Sequence, residues 1–427
     1  MQKLIYTIIA LLVGNAILFA QEYVQIDQGK NYSKTVFLDL KSLETTAVDF
    51  TKWDIAFGTV GRSATILYNE AAISGENSTP LELYVTSSTN FDSTELSMVT
   101  DTLYNGDSSL GDGAFGVPAD PSNGLDYGWG MYDITSHNLN GTRIFILKLR
   151  DGSYKKIRID QLQTRSNIFH FTYSDLDNSN TVKDSVNMND HADQTLAYYS
   201  LTEQSTVDIE PADWDLKFTR YNTPVETDEV PQGFLNYQVT GTLSHPGVEV
   251  AVASNINPET VSFDDYRDSL KTDMDAIGHD WKFFDLNTFQ YSVLDDQVFF
   301  VKTPDNEVYK LHFIDFEGAS TGVTTVEVTL VEVISSLAPA PEYIKETILF
   351  PNPANGGQAQ IRFQSDELKR DAKLIVHNAV GQEIYHHNIN IMQGENNFRL
   401  PFLSTPGLYY VVLRTNDGLI SLPLINN

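Results

Sequence analysis

The sequence predicts an all-β protein: two tandem antiparallel β domains followed by a C-terminal Ig-like β-sandwich. Three observations predict it: an aromatic signature written twice, apolar–polar alternation of period two where the copies match, and turn dipeptides between the alternating runs. Leu40 stands thirteen residues before Trp53-Asp54-Ile55-Ala56-Phe57, and Leu201 thirteen before Trp214-Asp215-Leu216-Lys217-Phe218, a shift of 161. Farther on, Trp129-Gly130-Met131-Tyr132-Asp133-Ile134 returns as Trp281-Lys282-Phe283-Phe284-Asp285-Leu286. Ile144-Phe145-Ile146-Leu147-Lys148 likewise returns as Val298-Phe299-Phe300-Val301-Lys302. All 4 tryptophans of the chain lie in these matched pairs. Asp151-Gly152 and Pro304-Asp305 put a turn at the same point of each copy.

Taken in order, residues 1–20 read as a secretory signal: Lys3 supplies charge, residues 4–18 an apolar run, and Leu18-Phe19-Ala20 a cleavage site. Residues 21–180 and 190–334 are the two copies, each long enough to bury a core. The polar stretch 175–193 is the expected link between them. In each copy Trp, Ile/Leu and Phe of the first signature fall on one face of a strand, which makes them core. The main helix candidate is 262–277, where Phe263, Tyr266, Leu270, Met274 and Ile277 recur at spacings of three and four. A Pro/Ala/Ser linker over 335–343 disfavours helix and strand and marks a boundary. The last domain, 344–427, reads as seven strands near 348–350, 359–363, 373–377, 383–389, 395–399, 407–414 and 419–424.

Composition excludes several functions. With 57 acids against 28 bases the chain carries −29, which repels nucleic acid and anionic membrane surfaces. The last domain has as many bases as acids, so this charge belongs to the residues before it. No cysteine is present, which removes disulfides, thiolate metal sites and cysteine nucleophiles. After the signal no stretch is apolar enough to be a transmembrane helix. Gly111-Asp112-Gly113-Ala114-Phe115-Gly116 fits a dinucleotide fingerprint but precedes Val117-Pro118 instead of a helix. Asp175-Leu176-Asp177-Asn178-Ser179-Asn180 starts like a calcium loop, yet Asn180 and Val186 occupy its glycine and terminal acid slots. Ser153-Tyr154-Lys155-Lys156 fits Ser-x-x-Lys and reads as the surface of a hairpin strand. With no catalytic set in view, an enzyme is not expected.

Two resemblances follow. Pro351-Asn352-Pro353, Asn378-Ala379-Val380-Gly381 and Gly407-Leu408-Tyr409-Tyr410-Val411 occur in the order of the type A C-terminal sorting domain of Bacteroidetes type IX secretion cargo, which this domain resembles. The resemblance implies export across both membranes to the cell surface or beyond, with the type IX secretion machinery as partner. Asp213-Trp214-Asp215-Leu216-Lys217-Phe218-Thr219-Arg220-Tyr221-Asn222, Asp296 to Lys302 and Tyr309 to Phe313 resemble the HmuY family of haem-binding surface proteins. The first copy resembles it more loosely, with Gly58-Thr59-Val60 in place of Thr219-Arg220-Tyr221. The family implies a secreted binding protein for haem or a related porphyrin, held between His or Met side chains. One family ligand position holds Ile134 and Leu286 here, and neither can ligate. The remaining candidates are Met131 and His137 in the first copy and Met274 and His279 in the second, with His312 assigned to a strand surface. The alternative is a non-haem binding or structural surface module that kept the fold and lost the axial ligands.

Overall fold

The computed structural model describes residues 21–427 apart from 61–62, 73–78, 228–232, 286, 334–340, 342, 356–357, 379–382, 402, 404, 416–417 and 427. The signal segment, Leu286 and most of the 335–343 linker therefore lie outside the described residues. Two compact units result, one ending at Val333 and one beginning at Ile334. The protein is all-β.

In the first unit the strands of the first repeat are β1 (Gln21–Asp27), β2 (Lys34–Leu38), β3 (Thr45–Asp49), β4 (Ile55–Gly58), β5 (Ile66–Tyr68) and β6 (Glu82–Thr86). They continue with β7 (Val99–Leu103), β8 (Gly130–Tyr132), β9 (Leu139–Gly141), β10 (Phe145–Lys148), β11 (Tyr154–Gln163) and β12 (Ile168–Asp175). The second repeat opens with β13 (Val182–Asn187), β14 (Leu196–Ser200), β15 (Ser205–Val207), β16 (Leu216–Glu226), β17 (Phe234–Ser244) and β18 (Glu249–Ser254). It closes with β19 (Lys282–Asp285), β20 (Gln290–Val293), β21 (Gln297–Lys302), β22 (Glu307–Phe316) and β23 (Val323–Val333).

These strands build two lobes, and each lobe draws on both repeats. Lobe 1 has the sheet orders β13-β12-β11-β10-β6-β7 and β15-β14-β4-β5; lobe 2 has β1-β23-β22-β21-β18 and β17-β16-β2-β3. Each repeat has thus given its first three strands to the other. The boundary at 180–190 read from the sequence does not separate two sheets. Asp175 to Asn180 is a tight turn, with Asn178 and Asn180 at positive φ, and it folds β13 straight back on β12. A local hairpin closes a short loop at little entropic cost, so the second repeat's leading strands stay with lobe 1. The open edge of β23 is then filled by β1, from Gln21↔Thr329 to Asp27↔Val323. Lobe 1 is consequently contiguous, inserted between β3 and β16 of lobe 2.

The exchange is symmetric in detail. The Asp54 amide donates to Tyr199 O and its carboxylate accepts from Leu201 N at 2.8 Å. Asp215 repeats this with Leu38 O and Leu40 N, again at 2.8 Å. Phe37 meets Trp214 edge-on at 5.2 Å, and Tyr198 meets Trp53 edge-on at 5.1 Å. These rings, with Ala56, Leu196 and Ile209, form a small core between the lobes. Both signature tryptophans therefore stand before their strands and pack there, whereas Ile55 and Phe57 enter the lobe 1 core and Leu216 and Phe218 that of lobe 2. A bulge also recurs, at Ile159/Gln161 in β11 and Phe313/Asp315 in β22.

Two local expectations are corrected. Residues 262–277 form two short 3₁₀ turns, Phe263–Asp265 and Arg267–Ser269, followed by a bridge between Lys271 and Val250. Aspartates at 264, 265, 268, 273 and 275 have low helix propensity, and Phe263 and Tyr266 instead pack on Phe300 at 5.4 and 5.7 Å. Lys156 is fully buried, not a strand surface; its Nζ donates to Leu176 O at 3.1 Å and Asn178 Oδ1 at 2.6 Å, pinning the β12–β13 turn.

In the second unit seven strands run β24 (Ile344–Asn355), β25 (Gln358–Ser365), β26 (Lys369–Asn378), β27 (Glu383–Ile391), β28 (Gly394–Arg399), β29 (Gly407–Thr415) and β30 (Gly418–Asn426). They hydrogen-bond in the order β27-β26-β29-β30-β24-β25-β28. All seven strands read from the sequence are present. Alternation buries Ala359, Ile361 and Phe363 from β25 against Leu374, Val376, Val411 and Leu413.

Candidate functional site

A cleft of about 490 Å³ opens in lobe 2. One wall is the long β16–β17 hairpin, which presents Arg220, Val225, Tyr237, Gln238 and Thr240; the other is the β19–β20 hairpin with Lys282, Phe283, Phe284 and Tyr291. The first repeat's leading segment contributes Asn31 and Tyr32, so the strand exchange completes this cleft. His279 lines it from the turn ahead of Trp281. That turn is held by Gly278, whose carbonyl accepts from Thr242 N and from the Trp281 indole. A Cβ on Gly241 would lie 2.5 Å from Gly278 O, so only glycine permits this approach.

Tyr32, Tyr237, Phe283, Phe284 and Tyr291 bring aromatic rings to the lining. Phe284 and Tyr291 meet at 5.0 Å, Tyr291 and Phe316 at 4.9 Å, and Trp281 stacks on Phe313 at 3.9 Å beneath them. Tyr237, Phe283 and Phe284 nevertheless stay 59%, 50% and 43% exposed, a cost that an occupant of the cleft would remove. Two cations sit among the rings. Lys282 Nζ lies 4.0 Å from the Trp281 centroid and donates to Thr240 O at 2.6 Å, and burial pushes its pKa down to about 7. Burial also lowers Arg220, whose guanidinium donates to Gln238 Oε1. No carboxylate is among the described lining residues, in a chain of net charge −29.

The other ligand candidates lie elsewhere. Met274 is buried and lines a groove beside Ser108 and Pro246, not the His279 cleft; its amide donates to Ser108 O. His137 lines a cleft in lobe 1 and its Nδ1 is 2.8 Å from Tyr132 OH. Met131 places its sulfur 4.0 Å from Asn123 Nδ2. His279 Nε2 is 3.2 Å from Asp280 Oδ1, and burial lowers its pKa. His312, on β22, is half-buried and lines neither described cleft, and Ile134 is exposed. Sequence reasoning gave no role to Arg220, Lys282, Phe283 and Phe284. The signal available was the adjacent Phe283-Phe284 pair, which breaks alternation in a hairpin and must expose at least one ring.

Both lobes are β-rich, and lobe 2 holds a cleft lined in part by aromatic rings. The HmuY protein family matches residues 167–329, and the secretion system C-terminal sorting domain matches residues 348–425. Residues 167–329 therefore carry a HmuY-family domain and residues 348–425 a type IX sorting domain, which marks the chain for delivery to the cell surface or outside. Among curated proteins none matches the chain. No helix of the described residues is long and apolar enough to cross a membrane. The HmuY match starts at β12 and spans strands of both lobes, so the matched stretch alone lacks the β1–β3 wall.

Proposed function

We propose that the protein captures haem or a related porphyrin in the lobe 2 cleft and acts as a binding protein, not as an enzyme. The observation that carries this is the pairing of aromatic side chains with two half-buried cations and no acid among the described lining residues. A porphyrin offers a large apolar face and two carboxylates, which Arg220 and Lys282 would hold. His279 would supply an imidazole ligand to the iron that haem carries.

A haemin titration followed by absorbance tests this. A saturable Soret shift is expected; His279→Ala weakens it several-fold and His312→Ala leaves it nearly unchanged. Absence of any specific haemin spectrum sinks the haem reading. A second reading rests on the fact that His279 is the only His or Met among the described lining residues. Metal-free protoporphyrin binding as tightly as haemin would favour it, with the macrocycle recognised and the iron not.

A further inference from the structure

Lobe 1 carries a cleft at the place equivalent to that of lobe 2. In each lobe the hairpin after the late tryptophan, β8–β9 or β19–β20, faces the turn joining the last two long strands. The indoles match as well: Trp129 donates to Ala64 O at 2.9 Å and Trp281 to Gly278 O at 3.2 Å. The linings have diverged. Where lobe 2 has His279, Phe284 and Ala319, lobe 1 has Tyr127, Tyr132 and Arg165, in a cleft of about 700 Å³.

The chemistry of this second cleft is that of a small hydrophilic anion. Arg165 has no hydrogen-bond or ion-pair partner among the described residues, and no acid is among the described lining residues. An unpaired guanidinium fork in an acid-free cleft fits a carboxylate. Tyr127 and Tyr132 offer ring faces with polar ends, and the Asn167 amide stands beside Arg165 to meet hydroxyls. Tyr132 OH bonds His137 Nδ1, which leaves the imidazole Nε2 for a further hydroxyl. A flat porphyrin finds no stacked aromatic wall here. We infer that the lobe 1 cleft binds an acidic sugar, a hexuronate-type ring whose carboxylate pairs with Arg165 and whose ring lies against the tyrosines.

Calorimetric titration of the full-length protein with glucuronate, glucose and acetate tests this. Glucuronate should bind tighter than glucose by about tenfold through the charge-assisted pair, and Arg165→Gln should erase that preference. Arg165 is exposed, so the variant keeps its fold. His279→Ala should leave glucuronate binding unchanged, which separates this site from the porphyrin cleft. Equal binding of glucose and glucuronate, acetate binding as tightly as glucuronate, an unaltered Arg165→Gln variant, or no glucuronate binding at millimolar concentration would each overturn the inference.

Discussion

Lys282 shows how one residue ties the lobe 2 cleft to pH. Its ammonium sits between the rings of Trp281 and Phe316, at 4.0 and 5.0 Å, and burial brings its pKa from 10.5 to about 7. Between these values the unfolded chain binds the proton that the folded one gives up, so this residue's contribution to stability rises with pH over that window and falls as pH drops through about 7. A carboxylate ligand favours the protonated amine, so porphyrin affinity should fall as pH climbs above about 7. Titrations at a series of pH values should show that slope in wild type and a flatter one in Lys282→Met. Glu70 works in the opposite sense. Its carboxylate accepts from Asn105 N and Asn222 N, linking the lobes, and burial pushes its pKa up to about 7. Its stabilising contribution is present below about 4.5 and is lost as pH rises through about 7, so thermal melts of Glu70→Gln should lose less stability from pH 5 to 8 than wild type. Neither role was legible in the sequence. A lysine in a hairpin and a glutamate in a loop read as solvated, and only long-range packing buries them.

At the scale of the element, the exchanged strands are clasped by two aspartates in equivalent places with different surroundings. Asp54 pairs with Arg150 at 2.7 Å, both largely buried. Asp215 has Pro304 where the first repeat has Arg150, and burial pushes it up to about 6. Removing Asp54 strands the Arg150 charge, so Asp54→Ala should cost about 3–5 kcal/mol in denaturant unfolding. Asp215→Asn keeps an acceptor for Leu40 N and removes a buried charge, so its melting temperature at pH 8 should equal or exceed that of wild type. The elements were the most legible part. Alternating runs and turn dipeptides identified the β class, the seven strands of the sorting domain and the repeat itself, because these signals are local. The 262–277 segment was misread for the same reason. Its apolar spacing suits a helix, yet the residues are buried separately, Phe263 against Phe300 and Met274 beside Ser108. Pairing of β2 with β16 and β14 with β4 leaves no mark in either strand's own sequence.

For the whole molecule, the natural cuts are not those of the repeat. Lobe 1 holds every strand from β4 to β15 and a core from Ile55 to Leu201, so a fragment of residues 50–210 should fold with β-rich circular dichroism. Fragments divided at 180–190 each lose the strands that the partner repeat supplies, and should fail to give the same monomeric fold in size-exclusion and dichroism measurements. The second unit is separate from both lobes. A protein truncated after residue 340 should therefore fold and remain in the periplasm, and equal secretion of truncated and full-length chains would refute the export role of the last domain.

The insertion of lobe 1 also fixes an order in time. Lobe 1 can close as soon as β15 has been synthesised, whereas β1 must wait unpaired until β23 exists, because Asp27 has its partner at Val323. Closing so long a loop makes lobe 2 the late-forming half. Tyr32 stacks on Phe316 at the end of β22, so the lobe 2 cleft matures late in folding, while the polar cleft of lobe 1 is already in place. A chain interrupted between β15 and β23 would present a finished lobe 1 and an unfinished lobe 2 cleft.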